Sequence, residues 1–271
     1  MIDRSSAAIL PVALALLATF FAGLSHAADP EKPMDKQYYE VRTYQLKDAS
    51  SAKALDAYLR DALLPALGRQ DVGPVGVFAP AEPTEKDSSE DSRVIVVIPY
   101  DSPNDLVRVA SGLRDDSQFQ QDARESIGIE PDQVPYKRIR SELLVAMDCM
   151  PKLNVPAGTL ENQQRVYELR LYESPNERLG DLKVDMFNNG EVPIFLDSGI
   201  QPVFLGQCLI GPQTPCLIYL TVYPDDAARQ KAWDTFRNHP DWQVLKGVEK
   251  YKGTVSRIDQ DVLAAKPYSQ M

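Results

Sequence analysis

The feature that most constrains this chain is an internal repeat. The run Tyr39-Glu40-Val41-Arg42-Thr43-Tyr44 returns as Tyr167-Glu168-Leu169-Arg170-Leu171-Tyr172. Leu64-Pro65 and Pro74-Val75 return as Val192-Pro193 and Pro202-Val203 at the same offset, so the match extends well beyond one motif. After a hairpin that is shorter in the second copy, Tyr100 matches Tyr223, Leu113-Arg114 matches Phe236-Arg237 and Phe119 matches Trp242. Tyr136-Lys137 is then paired with Tyr251-Lys252. A unit used twice in this way is one supersecondary assembly, and two copies are expected to pack together around a shared core.

Periodicity within each copy reads strand, helix, strand, strand, helix, strand. In the first copy Leu55, Leu59, Ala62, Leu63, Ala66 and Leu67 recur at helical spacing, with Ser50 or Ser51 placed to cap the start. Hairpin strands are predicted at 73–79 and 93–100, joined by a charged, solvated loop around 86–91. Ser102-Pro103-Asn104-Asp105 has the order of cap, first-turn proline and early acid that opens a helix, with Leu106, Val109, Ala110 and Leu113 as its apolar stripe. The second copy places Leu179, Leu182, Met186, Phe195 and Leu196 on its first helix and Ala232, Trp233 and Phe236 on its second. Asn188-Asn189-Gly190 should weaken that first helix locally.

Ahead of the repeat, Arg4 leads into an apolar stretch ending in Ser25-His26-Ala27, the pattern of a signal peptide cleaved after Ala27. Export to a periplasmic or extracellular location follows, with no stable membrane insertion after cleavage. The chain then divides into a signal peptide at 1–27, a disordered tail at 28–36, a first unit at 37–147, a linker at 148–164, a second unit at 165–265 and a closing tail at 266–271, the last also expected to be poorly ordered. With 44% hydrophobic and 25% charged residues the composition is that of a soluble globular protein. A net charge of -10 leaves no basic footprint for nucleic acid or anionic lipid.

Three cysteines are present, and Cys208 and Cys216 flank Gly211-Pro212-Gln213-Thr214 symmetrically. They are expected to face each other across a hairpin, either bridged or as two reduced strand residues. Cys149 would be left unpaired.

The paired Tyr-Glu-x-Arg-x-Tyr openings, the proline late in the first helix and the Asp-Trp of His239-Pro240-Asp241-Trp242 resemble the NIPSNAP family. The similarity spans nearly all of the chain after residue 27, with Phe119 in the first copy standing where the second has Trp242. It implies an α+β fold in which two tandem ferredoxin-like βαββαβ units form a pseudo-dimer of the dimeric α/β-barrel kind. Fold relatives include small monooxygenases, isomerases and haem-binding chlorite dismutases. The family has no agreed catalytic residues to carry over.

Alternation along the first strands separates Tyr167, Leu169 and Leu171 from Glu168, Arg170 and Tyr172. With the apolar set against the helices, Glu40, Arg42, Tyr44, Glu168, Arg170 and Tyr172 would point into the barrel. There they would form either a ligand pocket for an anionic or carbonyl-bearing molecule or a self-satisfied Glu-Arg ladder that fixes strand register. Tyr219 and Tyr223 alternate on a later strand and are candidate lining residues, or packing residues. His239, beside Pro240, fits a helix cap better than a haem ligand, and the chain lacks the histidines and cysteines of a zinc site. No phosphate-binding glycine loop, G-x-S-x-G elbow or H-E-x-x-H run occurs, and no metal or cofactor is expected. Three functional classes fit these residues: an exported small-molecule-binding or protein-interaction module, a cofactor-independent monooxygenase- or isomerase-like enzyme, and a structural scaffold; a homodimer is compatible with each. If the N-terminal segment is a cleaved signal, the intact mass of protein taken from its own compartment should correspond to a chain beginning at Ala28, and a mass retaining residues 1–27 would refute cleavage.

Overall fold

The computed structural model describes residues 35–81, 92–128, 130 and 132–271. The signal segment and the 86–91 loop lie outside the described residues. The strands are β1 (Tyr38–Leu46), β2 (Gly76–Pro80), β3 (Arg93–Tyr100), β4 (Tyr136–Ala146), β5 (Val166–Glu173), β6 (Gln201–Ile210), β7 (Cys216–Tyr223) and β8 (Arg257–Ala265). They close into one antiparallel barrel in the order β1-β3-β2-β8-β5-β7-β6-β4. Each repeat thus supplies a ferredoxin-like sheet, β4-β1-β3-β2 and β8-β5-β7-β6, and the pairs β2–β8 and β4–β6 stitch the two together. The fold is therefore the α+β, two-unit barrel expected from the repeat.

Helices cover the outside. α1 (Ala52–Ala57) and α2 (Leu64–Gly68) are joined by a π-helical turn at Tyr58–Leu63, and in the second unit α5 (Glu177–Met186) and α6 (Val192–Asp197) are joined by one at Phe187–Glu191. Both turns stand just before a proline, Pro65 and Pro193. A proline ring crowds the carbonyl four residues back and offers no N–H, so a wider turn relieves both problems. Asn188, Asn189 and Gly190 fall inside the second π turn, where the sequence predicts the helix to weaken. α3 (Pro103–Asp115) and α7 (Asp226–Asn238) occupy equivalent positions, as do the starts of α4 (Ser117–Ile127) and α8 (Pro240–Leu245).

Some local expectations change. The first helix is opened by Asp48, whose Oδ1 accepts from the Ser51 N–H at 2.9 Å and from both serine hydroxyls, so Ser50 and Ser51 are donors to the cap rather than the cap itself. Strand β2 begins at Gly76, later than predicted. Ala110 and Leu196 lie on exposed faces of their helices. Tyr251 precedes the last strand, and the residue equivalent to Tyr136 is Val255, because Ser141 and Gln260 take matching places opposite Arg42 and Arg170.

Three apolar clusters hold the molecule together. Under the helices of the first unit, Leu55, Leu59, Leu63 and Leu67 pack on Val94, Val96 and Ile98. Under those of the second, Phe187, Phe195, Trp233 and Phe236 pack on Leu205, Leu217 and Tyr219. The third lies inside the barrel, where Tyr39, Val41, Phe78 and Ile95 of one sheet meet Tyr167, Phe204, Ile218 and Leu220 of the other.

The closing segment after Ala265 is ordered by this interior. Lys266 and Gln270 donate main-chain hydrogen bonds to Val77 and Val75 at 2.8 and 3.0 Å, continuing the sheet beside β2, and Met271 is fully buried in the barrel cluster. Removing a buried side chain of this size leaves a cavity that the surroundings fill only partly. Met271→Ala should therefore lower the unfolding free energy by about 2–5 kcal/mol in urea titrations, whereas a loose tail would give no change.

Candidate functional site

The repeated motif is brought together in both units, but on the opposite face from the one predicted. Tyr39, Val41, Tyr167 and Leu171 point into the barrel, and Glu40, Arg42, Tyr44, Glu168, Arg170 and Tyr172 lie beneath the helices. Tyr219 and Tyr223 share that outer layer and do not line the interior. The physical reason is that both sheets bring their inner faces onto a common dry core, where an ionised side chain would find neither water nor partner. The helix-covered face provides partners.

These partners are complete. Arg42 grips Glu40 in two parallel bonds of 2.9 Å and donates to the Tyr44 hydroxyl at 3.3 Å, while Ser141 and Tyr100 donate to the same carboxylate at 2.8 and 3.2 Å. Burial pushes the Glu40 carboxyl up, but the Arg42 charge and the hydrogen bonds outweigh it and hold its pKa below the ordinary value. In the second unit Arg170 donates to Glu168 at 2.5 Å and to Tyr172 at 3.1 Å, with its guanidinium stacked 3.7 Å from the centre of the Trp233 ring. Trp233 and Arg229 satisfy the other Glu168 oxygen at 2.7 and 3.1 Å, and Tyr219 donates to Tyr172 at 2.8 Å. Alongside, Lys183 and Glu191 form a buried ion pair of 2.7 Å, with burial raising the Glu191 pKa. Neither residue is flagged by periodicity, since a lysine on a helix is ordinarily solvated.

The open concavity is elsewhere, at one mouth of the barrel. On the sides facing away from β1 and β5, β4 pairs with β6 only over Leu143–Ala146, and β8 with β2 only over Leu263–Ala265. The earlier halves of β4 and β8 have no neighbour on that edge among the described residues, and the sheets splay apart. The result is a cavity of about 830 Å³ lined by Thr43 and Gln45 of β1, Arg93 of β3, Arg138 and Arg140 of β4, Arg257, Asp259 and Asp261 of β8, and Pro212 and Gln213 of the β6–β7 turn. Arg93 pairs with Asp261, Arg257 with Asp259 at 2.8 Å, and Gln213 donates to Asp259 at 2.9 Å.

Deeper in, Glu142 follows Arg138 and Arg140 at a spacing of two residues and is almost fully buried. Arg140 Nε lies 2.9 Å from Glu142 Oε1, yet the N–H is not directed at it and that oxygen has no hydrogen bond. Burial raises the Glu142 pKa, only partly offset by Arg140. A polar pocket with four guanidinium groups can clamp an anion.

A second concavity of about 460 Å³, near Asp148, Asp181 and Asp185, has its carboxylates engaged by Lys36, Gln207, Lys250 and Tyr251. His239 caps α8, its Nδ1 accepting from the Asp241 N–H at 3.2 Å. No cluster of three or more His, Cys, Asp and Glu residues suited to a metal ion occurs among the described residues.

With this geometry in hand, comparison with known families is informative. The NIPSNAP family model matches residues 167–270. Among solved structures, a candidate monooxygenase from Fusobacterium nucleatum superposes with a TM-score of 0.55 at 14% identity over 86% of this chain and 93% of its own. One from Lactobacillus acidophilus gives 0.51 at 10% identity over 85% and 94%, and an anthrone oxidase-like protein gives 0.50 at 11% over 86% and 92%. At these identities the likeness is one of fold alone: these structures share the two-unit barrel architecture over most of their length. No curated protein matches the sequence.

The Glu-Arg cluster behaves as a structural ladder in this geometry. Arg170→Met leaves Glu168 buried with one strong partner gone and should destabilise the protein by about 3–5 kcal/mol. Adding Glu168→Gln should recover much of that loss in chemical denaturation, and additive losses would refute the pairing.

Proposed function

We propose that the protein is an exported small-molecule-binding module whose site is the barrel mouth, and that its ligand is a small organic anion bearing a carbonyl or similar acceptor. The observation that carries this reading is the concentration of arginines in a chain of net charge -10, set against one buried carboxyl that lacks a hydrogen bond. Like-signed groups converging on a partly enclosed pocket focus the field there and draw in ligands of opposite charge. Arg138 has no ion pair or hydrogen bond among the described residues and is free to meet such a ligand. Asp259 and Asp261 neutralise Arg257 and Arg93 in the empty site, limiting the repulsion among the cations.

Support for export comes from the N-terminal sequence alone. Ligand class follows from the donors present: guanidinium groups suit a carboxylate or phosphate.

The test is isothermal titration of the folded protein with short dicarboxylates, 2-oxo acids and inorganic phosphate at low salt. Binding should weaken with ionic strength, and the Arg138→Ala/Arg140→Ala double variant should lower affinity at least about tenfold, roughly 1.4 kcal/mol. Because the Glu142 pKa is raised, the carboxyl is neutral below it and repels an anion above it. Affinity should therefore fall as pH rises from the ordinary carboxyl value of 4.5 through the raised one. No binding of any probe, or binding indifferent to the double variant, would refute the site.

A further inference from the structure

We propose that Cys208 and Cys216 are a reversible dithiol–disulfide site at the barrel mouth that exchanges with low-molecular-weight disulfides. This inference concerns the chemistry of the chain itself and does not depend on the anion-binding reading.

The geometry is that of a preformed pair. β6 and β7 run antiparallel and their ladder ends with Gln207 opposite Leu217, which leaves Cys208 and Cys216 as the next residue on each strand. Both side chains belong to the apolar cluster of the barrel interior and are largely buried, and each thiol perturbs the ionisation of the other. The S–H of one stabilises the thiolate of the other, so the first ionisation of the pair is eased and the second is opposed.

The pair adjoins the turn at the mouth. The turn after Cys208 is Gly211-Pro212-Gln213-Thr214, with Pro212 and Thr214 exposed and Gln213 forming part of the cavity wall. Gly211 lies against both the Cys208 sulfur and the Glu142 side chain. A β-carbon added at Gly211 would come within 3.0 Å of each, so any side chain there would fill the space beside the thiol. Cys149 is half-buried at the start of the linker, and burial raises its pKa to about 11, which makes it an internal control for nonspecific oxidation.

The exchange balances as follows. One cysteine loses its proton and its thiolate attacks a sulfur of the external disulfide, forming a mixed disulfide and releasing one thiol. The second cysteine, deprotonated in turn, attacks the protein sulfur of that mixed disulfide and releases the other thiol. Two protein thiols are oxidised, one external disulfide is reduced to two thiols, and the two protons end on the leaving groups. The product ties the ends of the turn that carries Gln213, fixing one wall of the mouth.

The experiment starts from folded, natively reduced full-length mature protein treated with oxidised glutathione, quenched in acid, alkylated and mapped by mass spectrometry. The expected result is a peptide pair linked through Cys208 and Cys216, an alkylated Cys149, and loss of the link on treating the folded protein with dithiothreitol. In Cys208→Ser and in Cys216→Ser the link should vanish, and at least one variant should carry a stable glutathione adduct at the remaining partner. Both cysteines alkylated after oxidation, adducts on both in place of a link, a link that survives dithiothreitol in the folded state, or no adduct in either variant would each overturn the proposal.

Discussion

Everything in this molecule depends on two four-stranded sheets closing over a single dry interior. Neither sheet has a second face to spare: one side is covered by its own helices and the other by its partner sheet, so the first strands are buried on both sides. Tyr39 against Phe204 and Phe78 against Tyr167, each with ring centres 4.8 Å apart, are contacts made between repeats, and they tie the halves into one cooperative body. Charge is then sorted by where it can be satisfied. Within the apolar half of the barrel it is excluded, beneath the helices it is paired, and at the splayed mouth it meets solvent.

The beneath-helix layer shows how a buried ion pair is sustained. Glu168 receives Arg170, Arg229 and the Trp233 indole, and Glu40 receives Arg42, Ser141 and Tyr100. Each oxygen of these carboxylates has at least one donor, which is the condition under which desolvation of the charges is offset. The two units solve the same problem with different side chains, since Ser141 and Gln260 stand at matching register but bond to the carboxylate in one case and to the arginine in the other.

Much of this was legible in the sequence, and the parts that were not have identifiable reasons. The repeat fixes the order of elements and even the equivalence of α3 with α7, because the spacing from one hairpin to the next helix is preserved. Alternation along Glu168, Arg170 and Tyr172 correctly separates two faces but carries no label for which face is inside, and the usual rule that helices take the apolar side fails when the barrel interior is more apolar still. The mouth was missed because its arginines come from β3, β4 and β8, which only closure brings together. The buried Lys183–Glu191 pair depends on a π turn, whose changed side-chain direction a regular helical wheel does not represent.

Having both units in one chain also gives the mouth a handedness. Register places Arg138, Arg140 and Glu142 of β4 in correspondence with Arg257, Asp259 and Asp261 of β8, so two positions keep their charge across the pseudo-twofold axis, one of them with a shorter side chain, and one reverses it. The two cysteines occur on the hairpin of the second unit, whereas the first has Arg93 at the position equivalent to Cys216. An assembly of two identical chains would present the same wall twice, and an asymmetric molecule entering it would meet two equivalent poses. Here the two poses are chemically different, so head and tail of a bound molecule are distinguished before any contact with the deeper interior is made.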